Sequence, residues 1–311
     1  MNKYHMSEEE IEYLKGYDIT KYNRPSVAAD IAVFSIMGRD SGVDSRQVRD
    51  NENYRKLPEK KIKILLIRRG SYPYKGCWAL PGGFCQSNED VYETASRELY
   101  EETNVKNAYL ELSGIFGEVD RDPRGWVISH TFMALIDGMK SKLRAGTDAW
   151  EAKWFDIELQ KREVMKTYNE STADIENEYK LLLVNTEEEP VILTAVVREC
   201  RKFKDYHEKV CYELKECEGF AFDHAKIIVD TFLHLQNYVE KDGKIVFDLM
   251  PESFTLTELQ KAFEVILDKK LTVANFRRKM ADYVIETDQM IEGAGHRPAR
   301  LFKRNLETFY K

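Results

Sequence analysis

Three glutamates on one predicted helix face have the spacing that points most directly to chemistry. Glu98, Glu101 and Glu102 lie three and four positions apart, and residues at those spacings share one face of an α-helix. Carboxylates crowded together repel one another, so the arrangement contributes little stability by itself. A hard divalent cation relieves the repulsion, and oxygen ligands suit Mg²⁺ or Mn²⁺. The spacing therefore predicts a metal site.

Two glycines precede this helix in the run Leu80-Pro81-Gly82-Gly83. Glycine lets the backbone approach closely, so the main-chain carbonyl of Gly83 could join the coordination. A metal held there would polarise a diphosphate and lower the pKa of a bound water, while a carboxylate positions that water. The alternative is that glutamates are simply good helix formers on a wet face. That alternative accounts well for any single glutamate. It accounts poorly for all the glutamates standing at these spacings after the two glycines.

The elements that must position these residues form a mixed α/β pattern. The carboxylate helix is expected from about Glu89 to Thr103, capped by Ser87 or Asn88. Its apolar residues recur every four positions, which predicts one buried face. Apolar runs predict strands, and polar stretches predict a short acidic helix over 7–16 and a long surface loop over 38–60. The predicted strands are Ser26–Ile36, Ile62–Ile67, Trp126–Ile136 and Ala152–Phe155.

The chain of 311 residues is long enough for two domains. The α/β pattern closes near residue 158, residues 159–215 are interpreted as an insertion or connector, and residues 216–311 form a second unit. In that unit the expected order is helix, strand, helix, turn, helix and hairpin, which is typical of a winged helix-turn-helix. Its predicted elements are a helix over Phe220–Val239, a strand over Lys244–Leu249, a helix from Thr255 to about Leu267, a helix from Thr272 to about Tyr283, and two strands around Gly293–Gly295.

Charge is distributed unevenly along the chain. Nine Lys/Arg and four Asp/Glu give the segment 269–304 a formal charge of +5, which leaves −12 for the rest of the −7 chain. An acidic body with a basic end suggests two functions. Side chains of the predicted recognition helix and wing are of the types that read bases or hold phosphates. The candidate DNA-binding residues are Asn275, Arg277, Arg278, Lys279, Arg297 and Arg300.

The spacing from Gly83 to Val105 resembles the Nudix signature. Five residues separate Gly83 from Glu89, and seven more lead to Arg97-Glu98-Leu99-Tyr100-Glu101-Glu102. Asn104 stands where the family has glycine, and asparagine is the next most tolerant residue at a left-handed helix end. The resemblance implies an α/β/α sandwich with a mixed sheet. It also implies that Glu98, Glu101 and Glu102 bind metal and act in catalysis, supported by Glu89 and Arg97.

Further stretches resemble the ADP-ribose pyrophosphatases and the Nudix-related transcriptional regulators. They are residues 23–27, 71–84 and 121–129, and, near the end of the chain, 275–279 and 296–304. Arg121 and Arg124 are candidates to bind phosphates in bidentate fashion, although a charged turn shaped by Pro123 and Gly125 explains either arginine equally well. Glu151 lies where many Nudix enzymes place a later carboxylate, and an exposed strand-end charge is the alternative.

The composition indicates which cellular compartment to expect for the protein. The sequence contains no apolar run of membrane-spanning length, and its acidic N-terminus does not resemble a secretory signal. The five cysteines show no CxxC spacing, so neither a zinc site nor a disulfide framework is expected. We therefore expect a cytoplasmic protein that does not bind membranes.

Three functional hypotheses follow. The first is a Mg²⁺- or Mn²⁺-dependent hydrolase that cleaves the diphosphate of ADP-ribose or a similar nucleoside diphosphate compound. The second is a regulator whose Nudix domain senses such a nucleotide while the winged helix, as a homodimer, holds operator DNA. The third is a hydrolase whose C-terminal unit only builds an oligomer.

Overall fold

The structure is a computed structural model, and it describes seven stretches of the chain. These are residues 6–38, 60–106, 108–137, 149–187, 189–205, 207–291 and 298–309. Most of the loop predicted over 38–60, the hairpin tip at Gly293–Gly295 and the candidate DNA-binding residue Arg297 lie outside them.

Strands dominate the first two thirds of the chain and helices the last third. The strands are β1 (Ser26–Gly38), β2 (Lys60–Arg69), β3 (Trp78–Ala79), β4 (Gly82–Phe84), β5 (Tyr109–Phe116), β6 (Val127–Leu135), β7 (Ala149–Tyr168), β8 (Thr172–Asn185), β9 (Val191–Lys204), β10 (His207–Glu218), β11 (Val284–Ile291) and β12 (Ala299–Arg304). The α-helices are α1 (Glu8–Lys15), α2 (Val91–Thr103), α3 (His224–Lys241), α4 (Leu256–Leu267), α5 (Val273–Met280) and α6 (Leu306–Phe309), and short 3₁₀ helices cover Ile19–Lys21, Lys244–Leu249 and Ala281–Tyr283.

A mixed sheet forms the centre of the molecule. Its strand order is β10-β9-β8-β7-β2-β1-β6-β5, with β3 paired to β2 and β4 paired to β1. The pair β1–β6 is parallel, and the other pairs are antiparallel. Because β4 lies against β1, Gly83 pairs with Ala29. The predicted mixed sheet is confirmed.

Residues 159–215 complete β7 and form β8, β9 and β10. β7 pairs with β2 through its first half and with β8 through its second half, so the long hairpins continue the central sheet. Along much of β8 and β9 every second residue is buried, whereas the residues between them are exposed or half-buried. That alternation is the pattern of strands with one covered face, so the segment interpreted as an insertion or connector lies in the central sheet.

Helices cover both faces of the sheet. On one face, Ala95 and Leu99 of α2 join a cluster that includes Ile31 and Phe132. On the other face, α3 buries Ile228 and Phe232 in a larger cluster. The predicted α/β/α sandwich is confirmed, and its third layer is α3, which the sequence analysis had assigned to the C-terminal unit. The division of the chain at residues 158 and 215 stays a prediction.

The C-terminal unit is a winged helix in which one predicted element is wrong. The capping box of Thr255 with Glu258 opens α4 as predicted, and β11 and β12 form the wing hairpin. Lys244–Leu249, predicted as a strand, is a 3₁₀ helix that starts after Gly243 at φ 77°. Its backbone N–H groups bond locally, so its apolar side chains can turn into the core without a partner strand. These side chains belong to Ile245, Val246, Phe247 and Leu249.

One hydrophobic cluster joins the winged helix to the sheet. It includes Phe34 of β1, Phe232 of α3, and Phe276 and Met280 of α5. The rings of Phe34 and Phe232 lie 5.8 Å apart, within the range of favourable aromatic contacts. The recognition helix is therefore anchored in the same core as the sheet. In the described part of the chain, no helix combines the length and apolar character that crossing a membrane would require.

Candidate functional site

Helix α2 holds the carboxylates in a fixed orientation. Asp90, not the predicted Ser87 or Asn88, caps the helix: its side chain accepts from Tyr92 N and Glu93 N in a capping box. At the other end Asn104 adopts φ 59° and ψ 20°, so the left-handed ending predicted for this position is confirmed. Both helix ends satisfy free backbone groups, which fixes the length of α2 and the direction of its glutamates.

Arg97 connects the carboxylates of the predicted box. Its Nε and Nη2 donate to the two carboxylate oxygens of Glu89 at 2.9 and 2.7 Å. Its Nη1 donates to Glu98 at 2.6 Å and to Glu101 at 3.1 Å. This bidentate pairing lowers the pKa of Glu89 to about 2. The structure thus brings together Glu89, Arg97, Glu98 and Glu101, and it gives Arg97 a positioning contact with each carboxylate.

The two glycines create room for the site. A Cβ at Gly83 would lie 2.2 Å from Oε1 of Glu98, and one at Gly82 would lie 2.3 Å from the carbonyl oxygen of Ala29. Neither position tolerates a side chain without displacing a neighbour. The backbone N–H of Gly82 also donates to Glu102 at 2.9 Å. The Gly-Gly turn therefore packs directly against two of the predicted metal ligands.

Burial sets the charge state of two glutamates. Burial, together with the nearby charges of Glu98 and Asp30, raises the pKa of Glu102 to about 8. Burial also raises the pKa of Glu98, against the influence of Arg97. A carboxylate whose charge is disfavoured by desolvation is stabilised when a cation binds beside it. This electrostatic setting would favour a bound cation.

The donor set fits a hard divalent cation, although its members are not yet gathered around one point. Among the described residues, no three carboxylate, histidine or cysteine side chains already converge as a metal cluster, because Arg97 pairs with Glu98 and Glu101. The carboxylates of Glu98 and Glu102 and the close approach at Gly83 supply oxygen donors of the kind that Mg²⁺ or Mn²⁺ prefers. The residues present fit such an ion.

Cations and aromatic rings line the rim next to Gly83. The guanidinium of Arg124 lies 4.8 Å from the ring centre of Phe84 and 5.1 Å from that of Phe222. Arg69 lies 4.9 Å from the same Phe222 ring. Burial and the like charge of Arg124 lower the pKa of Arg69, while Glu102 opposes this effect. The rim and the carboxylates therefore share one electrostatic environment.

The predicted substrate-binding residues occupy different positions. Arg124 lies on this rim, where Asp122 also accepts its hydrogen bonds at 2.6–3.2 Å. Arg121 is 4% exposed in its side chain and forms a bidentate pair with Asp223 at 2.7 and 3.0 Å. Glu151 pairs with Lys153 at 2.7 Å. The structure gives Arg121 a buried partner already, so its phosphate-binding role stays a prediction, as does the role of Glu151.

A buried polar network links the site to the start of α3. The backbone N–H of Leu80 donates to Nδ1 of His224 at 2.9 Å, so that ring nitrogen is an acceptor. Burial lowers the pKa of His224, and its Nε2 lies 3.8 Å from Asp30. Asp30 accepts from Ser129 and lies 3.7 Å from Arg121. The Pro-Gly-Gly strand and the base of α3 are therefore held together by side chains.

Sequence reasoning missed two residues of the rim, Arg69 and Phe222. Arg69 ends β2, and Phe222 precedes α3, so 153 positions separate them in the sequence. No local spacing could have paired them.

Helix α5 presents the predicted DNA-binding side chains to solvent. Phe276 and Met280 are buried, whereas the polar residues between and around them are exposed. Arg300 of β12 is exposed as well and pairs with Glu286. The exposed polar residues of α5 are Asn275, Arg277, Arg278 and Lys279.

Comparisons with known proteins match both units. A family model described as the NUDIX domain matches residues 56–174, and one described as the NrtR DNA-binding winged helix domain matches residues 246–303. The chain is 28% identical over 301 residues to the ADPR responsive transcriptional repressor NtrR of Acinetobacter baylyi, covering 96% of this chain and 89% of that protein. It is 48% identical over 99 residues to an ADP-ribose pyrophosphatase of Methanocaldococcus jannaschii, covering 32% of this chain and 57% of that protein.

Solved structures share the fold over nearly the whole chain. A MutT/nudix family protein from Enterococcus faecalis superposes with a TM-score of 0.63 at 23% identity, covering 96% of this chain and 94% of that one. NrtR of Shewanella oneidensis, complexed with a 27mer DNA, superposes with a TM-score of 0.57 at 22% identity, covering 91% and 94%. The chain thus joins a domain that matches the NUDIX model to one that matches the NrtR DNA-binding winged helix model.

Proposed function

We propose that this protein is an ADP-ribose-responsive transcriptional regulator that binds operator DNA through α5 and the wing. The observation that carries the proposal is the shared hydrophobic cluster, which runs from Phe34 in the sheet to Phe276 in α5. A ligand that shifts the sheet or α3 can thereby alter the helix that faces DNA. The similarity to an ADPR responsive repressor over 96% of the chain supports the same proposal.

The ligand would bind at the rim and the carboxylates. Arg124 offers a planar guanidinium for a phosphate, and Phe84 offers an aromatic surface 4.8 Å away. Glu98 and Glu102, with the carbonyl of Gly83, would hold Mg²⁺ or Mn²⁺. Such an ion, when bound, would neutralise and polarise the diphosphate. The chain itself would orient the nucleotide between the cationic rim and the carboxylate helix.

DNA would bind to the exposed face of α5. Arg277, Arg278 and Lys279 lie in the last turn of that helix, where they can reach phosphates or base edges in the major groove. Arg300 of the wing adds a second contact. One recognition unit binds weakly, so we propose that a homodimer occupies two half-sites.

The direct test titrates the full chain with its own upstream DNA, with and without ADP-ribose. We expect binding that weakens as salt rises, because phosphate contacts release counterions, and that changes when ADP-ribose is added. An Arg277→Ala, Arg278→Ala variant should lose DNA binding and keep ADP-ribose binding. Absence of DNA binding at low salt would contradict the proposal and leave a C-terminal unit that only builds an oligomer. Deleting residues 216–311 is a poor alternative, since it also removes α3 from the sheet.

A second candidate function is hydrolysis of the ADP-ribose diphosphate. The observation that favours it is the complete carboxylate set, with Glu98, Glu101 and Glu102 on one helix and Arg97 bonded to two of them. A carboxylate of this set would position the attacking water beside the metal.

AMP release from ADP-ribose with Mg²⁺ or Mn²⁺ tests this activity. The control is a Glu101→Gln, Glu102→Gln variant. Release that disappears in the control would establish an enzyme, and the regulator would then also consume its signal. Tight binding with no release above the control would leave the Nudix domain as a sensor alone.

A further inference from the structure

Two aromatic residues at the rim adopt backbone conformations that bulky side chains rarely accept. Tyr74 has φ 60° and Phe222 has φ 51°, and their rings contact each other with centroids 4.8 Å apart. Left-handed conformations cost free energy in residues of this type, so they persist only where the surroundings enforce them. Such enforced conformations concentrate at ligand-binding positions.

The segment that carries Phe222 is fixed to the strand that leads to Gly82. The backbone N–H of Trp78 donates to the carbonyl of Gly219 at 2.8 Å, and that of Ala221 donates back to Trp78 at 2.8 Å. Two residues after Trp78, the backbone N–H of Leu80 donates to Nδ1 of His224 at 2.9 Å. Phe222 is thus held at the rim by bonds on both sides of it, and it is only partly buried there.

Two cations share the Phe222 ring. Arg69 and Arg124 lie 4.9 and 5.1 Å from its centre. Asp122 neutralises Arg124, whereas Nε of Arg69 donates to the uncharged carbonyl of Pro73 at 2.8 Å. Within the described part of the chain Arg69 has no salt bridge. Arg69 is therefore a cation at a partly buried rim that an anionic ligand can pair with, although the charges of Glu102, Asp122 and Asp30 also act on it.

We propose that Phe222 and Arg69 form the second wall of the nucleotide site and contact the ligand directly. Arg69 binds a phosphate of a nucleoside diphosphate, and the Phe222 ring packs against the nucleoside. This inference rests on the proposed function, and it names residues outside the box that determine affinity. Phe222 lies between the matched regions 56–174 and 246–303, in the segment that leads into α3.

The position of Phe222 also links the ligand site to helix α3. Phe222 is two residues before the first residue of α3, His224, and α3 packs against α4 and the sheet in one cluster. A ligand that contacts Phe222 therefore acts on the base of the helix that supports the winged helix.

The test is the affinity of the full-length protein for ADP-ribose, measured by calorimetry with Mg²⁺ present. We expect Phe222→Ala to weaken binding about tenfold or more, because it removes the ring on which the nucleoside stacks. Arg69→Ala should also weaken binding, because it removes the cation that pairs with the phosphate. Phe222→Tyr keeps the ring and should retain the wild-type affinity. Phe203→Ala is the matched control, because Phe203 is a partly exposed aromatic residue of β9 that contributes nothing to the rim.

Folding is checked by the melting temperature of each variant. Should Phe222→Ala be misfolded, Phe222→Asn removes the ring with a residue that tolerates the left-handed backbone. Wild-type affinity in a folded Phe222→Ala or Phe222→Asn variant would overturn this inference alone. A wild-type chain that does not bind ADP-ribose would overturn the proposed function and this inference together.

Discussion

The two faces of the central sheet carry helices with different roles. Of the 13 residues of α2, four are buried, and the glutamates project from the remaining surface. Of the 18 residues of α3, ten are buried, and they include the charged Lys226. In the proposed function, α2 would offer its carboxylates to the ligand, whereas α3 packs in one cluster with the sheet and the winged helix. The residues proposed for the ligand site follow from spacing along one helix, whereas the connection to the winged helix depends on tertiary contacts.

The largest expected effect comes from the core on the α3 face. Phe276→Ala should lower the free energy of unfolding by about 3–5 kcal/mol, because it removes a buried aromatic ring. Since Phe276 shares its cluster with the sheet, the whole chain should still unfold in one urea transition at a lower midpoint. The matched control is Phe132→Ala on the α2 face, where Phe132 is fully buried. Two separate transitions, of which Phe276→Ala shifts only one, would contradict a shared core.

Gly83→Ala should disrupt ligand binding beside α2 and leave the winged helix unaffected. The added Cβ would lie 2.2 Å from Oε1 of Glu98, so the carboxylate must move. Misplacement of a binding group by about 1 Å can cost about 100-fold, and we expect a loss of that size in Mg²⁺-dependent affinity for ADP-ribose. DNA affinity without ligand should not change.

Gly117→Ala is the matched control, since its added Cβ would meet Ile128 at an ordinary 3.5 Å. Equal affinities for ADP-ribose in the two glycine variants would show that the Gly83 backbone does not form part of the site.

Substitutions on α5 should affect DNA binding without reaching the nucleotide. If the arginine reads a base, Arg277→Ala or Arg278→Ala should each weaken the free energy of DNA binding by about 1–3 kcal/mol. If it holds a phosphate, each should reduce the slope of log affinity against log salt concentration by about 1. Fluorescence anisotropy at several salt concentrations distinguishes the two cases. Lys180→Ala, at an exposed lysine of β8, is the control. An equal loss in the control would indicate a non-specific effect of net charge.

The smallest effect concerns pH. Burial raises the pKa of Glu102 from 4.5 to about 8, so between these values the folded chain holds a proton that the unfolded chain has lost. Stability from this group is complete below pH 4.5 and declines as the pH rises towards 8. In metal-free buffer the free energy of unfolding should fall between about pH 5 and pH 8. Glu102→Gln should make that fall smaller by about 1–2 kcal/mol, allowing for screening by water.

Urea unfolding at the two pH values measures this difference. Adding Mg²⁺ to the wild type should also reduce the decline, because a cation favours the charged carboxylate. Identical pH profiles for wild type and Glu102→Gln would show that Glu102 is not the group responsible.

The sequence predicted the α2 face better than the α3 face. Glu98, Glu101 and Glu102 follow from helical spacing, and the left-handed end at Asn104 follows from residue type; the structure confirms the helix and its ending. The sequence alone does not single out the N-cap, because Ser87, Asn88 and Asp90 all have side chains that can cap a helix. In the structure the helix begins at Val91, so Asp90 is the residue in the capping position.

The parts that sequence could not supply depend on contacts between distant segments. The pairing of β8, β9 and β10 with the sheet could not be predicted, because charged residues interrupt their apolar pattern and their register depends on distant segments. The 3₁₀ helix at Lys244–Leu249 looked like a strand, since its apolar composition suits either structure. Arg69 and Phe222 meet only because the segment before α3 returns to β3 through hydrogen bonds of Trp78.

The central claim is that nucleotide binding at the α2 face and DNA binding by α5 are coupled through one core. The most direct measurement is the affinity of the full chain for ADP-ribose with and without saturating upstream DNA, beside the affinity for DNA with and without saturating ADP-ribose. Because coupling between two sites is reciprocal, we predict that both ratios differ from one by the same factor, and that Gly83→Ala abolishes the effect of ADP-ribose on DNA affinity. Affinities that do not depend on the other ligand would contradict the account.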